Sequence, residues 1–116
     1  MKVKAEKLHI YESGARRSDR KGKGRYDLIS PYGLHELALV YEEGAVGKGE
    51  RNWEKGFPMS RAIDSALRHI NQYRMGLSDE RHIGQATWQL FAILHFEHEI
   101  AAGHLPEEIN DLKGGE

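Results

Sequence analysis

Three stretches of the chain repeat their apolar residues at intervals of three and four, and each is bracketed by residues that start or stop a helix. In the first, Ser30-Pro31 is the starting signal, because serine caps and proline suits the first turn, and Gly44 is the stop. Leu34, Leu37, Val40 and Tyr41 form its inward stripe. Ser60 caps the second, which carries Ile63, Ala66, Leu67, Ile70 and Tyr73, sets Asp64 and Arg68 one turn apart on its polar side, and ends at Gly76. The third begins after Ser78-Asp79-Glu80 and runs to about residue 102. Ile83, Ala86, Leu90, Ile93 and Leu94 share one of its sides while Trp88, Phe91 and Phe96 spread around the others, so it is expected to be buried on more than one side, in a bundle or an oligomer.

The intervening segments lack that period. Residues 1–12 alternate weakly through Val3, Ala5, Leu8 and Ile10, which suits a short strand or an extended segment, and residues 13–24 mix charges with Gly14, Gly22 and Gly24 as a loop or arm. Between Gly44 and Pro58, four glycines surround Arg51-Asn52-Trp53, which predicts a long structured loop, a kind of segment that is usually functional. Gly103 and Pro106 close the third helix, and residues 106–112 have room for one short helix before a Gly-Gly-Glu tail. The expected fold class is therefore all-α: a small bundle of three main helices with antiparallel neighbours and an extended basic N-terminal arm. Residues 1–29 form the extended segment, 30–102 the helical domain, and 103–116 the closing helix and tail.

Composition narrows the function. A chain of 116 residues fits one domain, and one this small leaves much of its surface exposed, so self-association into a homo-oligomer is expected to help it. The absence of cysteine removes disulfides, thiolate metal sites and cysteine nucleophiles, leaving carboxylate, imidazole or amide groups for any metal, a set that favours Mg2+ or Mn2+. No run approaches the ~20 apolar residues of a membrane span, and the start of the chain lacks the apolar stretch of a secretory signal, so a cytoplasmic location is expected. A formal net charge of −1 argues against coating nucleic acid. The charge is uneven, however, with Arg16, Arg17, Arg20, Lys21, Lys23 and Arg25 opposed by Asp19 alone, and an acidic far end.

Candidate chemistry lies on the helices and their joints. Glu36 and Glu43, seven residues apart, fall on one face of the first helix, either as solvated surface or as donors to a metal that grips polyphosphate. His82, Gln85 and Gln89 draw a polar line down an otherwise apolar helix, and burying such groups without partners costs about 1–3 kcal/mol each. They are either a hydrogen-bonded network or a pocket floor that binds a base or helps hold a metal. Asp79 and Glu80 suit the positive end of the third helix, and one of them is also a candidate ligand. His69 flanks the second helix's stripe as a satisfied core histidine, a ligand or a base. Lys48, Arg51, Lys23 and Arg25 suit phosphate, although no P-loop is present. Trp53 either stacks a purine or anchors its loop.

Gly14-Ala15, Lys21-Gly22-Lys23, Arg25-Tyr26-Asp27-Leu28-Ile29 with Pro31, Gly44-Ala45, Arg51-Asn52-Trp53, Arg68-His69 and the helix HIGQATWQL follow an order that resembles the N-terminal domain family of phage and bacterial dATP/dGTP diphosphohydrolases, which looks like a divergent relative of the all-α MazG-like nucleotide pyrophosphohydrolases. The likeness spans roughly residues 13 to 98. It implies an oligomeric, magnesium- or manganese-dependent hydrolase that releases pyrophosphate from a purine deoxynucleoside triphosphate. By position it implies catalytic roles for Glu36, His69 and His82, and substrate contacts by Arg51, Asn52 and Trp53. The chain departs from the pattern at Gly47-Lys48, where lysine-tyrosine is usual, at Gln85 in place of a second histidine, and at Gln89 in place of asparagine.

On that resemblance the expected metal ligands are Glu36 with Glu43, Asp79 or His82, and Lys23, Arg25, Lys48, Arg51, Asn52, Trp53, Gln85 and Gln89 are expected to hold the nucleotide. The alternative from another class is a non-enzymatic nucleotide- or nucleic-acid-binding module that uses the basic arm and Trp53. An HD-type phosphohydrolase is disfavoured because no adjacent His-Asp pair occurs.

Overall fold

A computed structural model describes residues 7–112; Val3 and Ala5 of the expected first strand and the Gly-Gly-Glu tail lie outside the described residues. The described residues fall into two compact units that divide after residue 30. In the first, β1 (Leu8–Ile10) pairs antiparallel with β2 (Arg16–Ser18), setting Leu8 opposite Ser18 and Ile10 opposite Arg16. The basic segment expected to be loop thus supplies a strand. The reversal is closed by the Gly14 amide, which donates to the Tyr11 carbonyl at 2.8 Å, and by the Ala15 carbonyl, which accepts from Tyr11 at 2.9 Å. A single 3-10 turn, Tyr26–Leu28, follows, with Arg25 gripping Asp27 through two hydrogen bonds of 2.8 Å.

The second unit holds three helices: α1 (Pro31–Lys48), α2 (Met59–Arg74) and α3 (His82–Ala101). Proline opens α1 as expected, but the helix does not stop at Gly44. Glycine weakens a helix interior by about 1 kcal/mol, and packing outweighs that here, because Tyr41 and Ala45 are half-buried and Tyr41 meets the rings of Trp53 and Trp88. The stop falls at Gly49, whose φ of 99° suits the left-handed region that ends helices and whose amide donates to the Ala45 carbonyl at 3.0 Å. The expected long loop is correspondingly shorter and contains a 3-10 turn, Asn52–Lys55.

Ser60 does not cap α2, since Pro58 precedes the helix and Ser60 lies in its first turn. Its amide donates instead to Asp111 at 2.9 Å, and its hydroxyl donates to the other oxygen of the same carboxylate. The stretch after α3 thereby returns to the start of α2, through a 3-10 turn at Glu107–Ile109 rather than the short α-helix expected there. Gly76 and Gly103 follow the ends of α2 and α3 as predicted.

The helices pack through small residues. α2 buries Met59, Ala62, Ala66 and His69, and α3 buries His82, Gly84, Ala86, Ala92 and Phe96. The larger stripe residues Leu34, Leu67, Tyr73, Ile83, Leu90 and Leu94 are exposed, contrary to the expected core, because a narrow seam between helices admits alanine and excludes leucine. The main core cluster, Met59, Ala92 and Phe96, sits at the far end of α3, wrapped by Trp53, Phe57, Ile100, Leu105 and Ile109. Among the described residues no helix is long and apolar enough to cross a membrane.

Candidate functional site

A cleft of about 960 Å³ opens where the end of α1, the following loop and the facing sides of α2 and α3 meet. Lys48, Arg51, Asn52, Trp53, Gln85 and Gln89, six of the residues expected to hold a nucleotide, all line it. The other two, Lys23 and Arg25, belong to the N-terminal unit, where Arg25 is occupied by Asp27 and its guanidinium is held further toward the charged form by that hydrogen bond. α2 adds Arg61 and Arg68 to the cleft, α3 adds Trp88, and the loop adds Phe57. Sequence reasoning overlooked Arg61, Phe57 and Trp88. Arg61 follows from the helical offset of Arg68, seven positions on, but the aromatic pair requires knowing how the loop folds.

The cleft joins cations to an aromatic wall. Phe57 stacks on Trp88 with ring centroids 5.9 Å apart and planes 13° from parallel, while Tyr41 leans on Trp88 at 6.3 Å. Trp53 meets Tyr41 and His95 edge-on, at 5.8 and 4.8 Å, so its ring anchors the loop on the bundle while lining the cleft. Burial raises the Tyr41 phenol above its ordinary pKa and keeps it neutral. Arg51 is partly engaged by Glu54 at 2.7 Å and Arg68 by Asp64 at 3.3 Å, whereas Lys48 and Arg61 make no salt bridge among the described residues. Gln89 donates through Nε2 to Ser65 Oγ at 3.1 Å and leaves its buried Oε1 without a partner among the described residues, so this polar line is only half satisfied.

Glu43 stands at the edge of this cleft and also lines a smaller hollow of about 430 Å³ with Glu42, Asp79, Glu80 and Arg81. The face shared by Glu36 and Glu43 is real, and what it holds is a guanidinium. Arg81 donates through Nη1 to both oxygens of Glu36, at 2.9 and 2.8 Å, and through Nε to Glu43 at 2.8 Å. These bonds, Glu36 first, raise the arginine pKa further. Nothing in the local sequence singled out Arg81, because its partners are 45 and 38 residues away.

The remaining candidates form a separate chain of contacts. His82, fully buried, turns Nε2 to Asp79 at 2.8 Å and Nδ1 to Nδ1 of buried His69 at 2.9 Å. That bond to His82 holds the Asp79 carboxyl below its ordinary range, and burial first of all holds the His69 imidazole neutral by lowering its pKa. Asp79 and His82 are thus brought together with each other and with His69; their side-chain hydrogen bonds do not include Glu36.

Fold and site define a small helical protein with a cation-rimmed aromatic cleft beside a group of carboxylates. Residues 13–103 match the family described as dATP/dGTP diphosphohydrolase, N-terminal, and the chain belongs to that family. No curated protein and no solved structure matches it.

Proposed function

We propose that this chain is a metal-dependent nucleotide pyrophosphohydrolase that converts dATP or dGTP to the monophosphate and pyrophosphate. The observation that carries the reading is the juxtaposition, in one cleft of nucleotide size, of Lys48, Arg51, Arg61 and Arg68 with the Phe57–Trp88 stack and the carboxylate of Glu43. Membership of a family named for dATP/dGTP diphosphohydrolases supports the substrate class.

The donor set suits a hard dication. Glu36 and Glu43 already converge on one cation, and with Glu42, Asp79 and Glu80 nearby the region carries more carboxylates than the single guanidinium of Arg81 balances. In this reading Glu36 and Glu43 hold Mg2+ or Mn2+, whose chemistry is to neutralise phosphate oxygens and acidify the attacking water. Lys48 and Arg61, which make no salt bridge among the described residues, bind and orient the triphosphate, and Arg51 shifts between Glu54 and the leaving pyrophosphate. The aromatic wall excludes water and takes the flat base, and the amides of Gln85 and Gln89 face its polar edge. Self-association completes the proposal, supported by the apolar residues exposed on α2 and α3.

Incubating the protein with each deoxynucleoside triphosphate and Mg2+ or Mn2+, and resolving products by chromatography, tests the reaction. Monophosphate and pyrophosphate are expected from dATP or dGTP, and Glu36→Gln or Glu43→Gln should lose about 100-fold or more in turnover. Release of triphosphate or inorganic phosphate, or full activity in both variants, would remove the assignment.

A further inference from the structure

The buried pair His69–His82 is left unused by the proposed hydrolysis. Both rings lie in the alanine-lined seam between α2 and α3, His69 8% and His82 2% exposed, and each finds its neighbour's Nδ1 rather than a backbone carbonyl. A carboxylate can only accept, so Asp79 fixes the proton on His82 Nε2 and leaves His82 Nδ1 as a lone pair when the ring is neutral. The 2.9 Å contact then requires His69 Nδ1 to donate its proton into that lone pair. A carboxylate behind one ring nitrogen, with the other nitrogen presenting its lone pair, is the arrangement that orients histidine toward a metal. Glu80 stands beside the pair. One oxygen of its carboxylate and one nitrogen of each ring lie within 4.8 Å of one another, and the Glu80 side chain makes no hydrogen bond or salt bridge among the described residues.

We propose that His69, Glu80 and His82 form a site for a first-row transition dication of the zinc class, separate from the carboxylates of Glu36 and Glu43. Two imidazole nitrogens and one carboxylate oxygen match the softer ions and not magnesium, which takes oxygen and gives up its waters reluctantly. The ion takes the place of the hydrogen shared between the rings, and His69 carries that hydrogen on Nε2 instead, so both imidazoles ligate as neutral rings. Metal–nitrogen bonds of about 2.0–2.1 Å in tetrahedral geometry require the rings to part slightly from their present contact and the exposed Glu80 side chain to swing inward. The site ties the last turns of α2 to the start of α3, so occupancy stabilises the folded state.

Untagged, chelator-treated protein titrated with Co2+ reads the site by its visible absorption, and Zn2+ is read by displacement of cobalt and by the melting temperature. One equivalent of cobalt with the intense bands of four-coordinate geometry is expected, displaced by Zn2+ and unaffected by millimolar Mg2+. Glu80→Gln, an exposed substitution that spares the seam, should weaken binding about 10-fold or more, His69→Gln should abolish it, and Glu36→Gln should leave it unchanged. Absence of saturable cobalt binding, or binding undiminished by either the Glu80 or the His69 substitution, would overturn the proposal. Because the readout is metal binding, it stands apart from hydrolysis: a chain that binds cobalt but turns over no nucleotide removes the function above and keeps this site.

Discussion

At the scale of single residues, close approach governs more than hydrophobicity does. An added Cβ at Gly84 would lie 2.8 Å from Cγ2 of Val40, a branched side chain that is itself buried and has little freedom to withdraw. Alanine would gain about 1 kcal/mol in helix propensity, but overpacking costs about 1–3 kcal/mol, so Gly84→Ala is expected to lose roughly 1 kcal/mol net, measured by urea unfolding. Shortening the obstructing residue in the double variant with Val40→Ala should restore the propensity gain while adding a cavity cost of its own, giving a non-additive cycle. Phe96, fully buried among Met59, Ala92 and the rings of Trp53 and Phe57, works in the opposite sense. Phe96→Ala should cost about 3–5 kcal/mol, a large share of the stability of so small a domain, and show as loss of a cooperative thermal transition.

At the scale of elements, what could be read from the chain divides by range. Pro31, Gly76 and Gly103 act on the backbone of their own turn, so helix starts and stops at these places were legible. Gly44 differs, because the rings of Trp53 and Trp88, distant in sequence, support the turn that a local rule would end. The common face of Glu36 and Glu43 follows from their spacing alone, whereas Arg81 between them, and the meeting of His69 with His82, depend on which helices become neighbours. Helical spacing places Ala66 and Ala86 on the buried stripes, whereas the exposure of Leu67 and Leu94 depends on the distance between two helix axes, which is not written in either one. One tie between elements carries a pH signature. Hydrogen bonds from Ser60 hold the Asp111 carboxyl below its ordinary value of 3.8. A lowered folded pKa means that the unfolded chain takes up the proton first as pH falls. This contribution is therefore complete above that ordinary value and is lost as pH drops through the lower folded one. Urea titrations of the wild type and Asp111→Ala should show a stability gap at pH 6 that narrows below pH 4, and a gap independent of pH would contradict it.

At the scale of the whole molecule, the helical unit presents two different surfaces. Arg61, Asp64, Ser65 and Arg68 of α2 and Gln85, Trp88 and Gln89 of α3 face the cleft. Leu67 and Ile70, and Ile83, Leu90 and Leu94, are turned away from it by the helical period and stand exposed. Leu67 and Leu94 are 61% and 62% exposed, an arrangement that costs little if a second copy covers it and promotes association if none does. Sedimentation should therefore show wild-type protein larger than one chain and the variants Leu67→Glu and Leu94→Glu smaller, with nucleotide binding in the cleft retained. A monomeric wild type would remove self-association from the proposed function.

The return of the chain to the start of α2 has a bearing on biosynthesis. Asp111 clasps Ser60, and Ile109 presses so closely on Gly56 that a Cβ there would sit 2.6 Å from its Cδ1. The loop bearing Arg51 and Trp53 is thus braced by residues translated some fifty positions later. Although α1 and α2 are free to coil while the ribosome is still reading, the mouth of the cleft cannot acquire its final shape until the segment through Asp111 has left the exit tunnel.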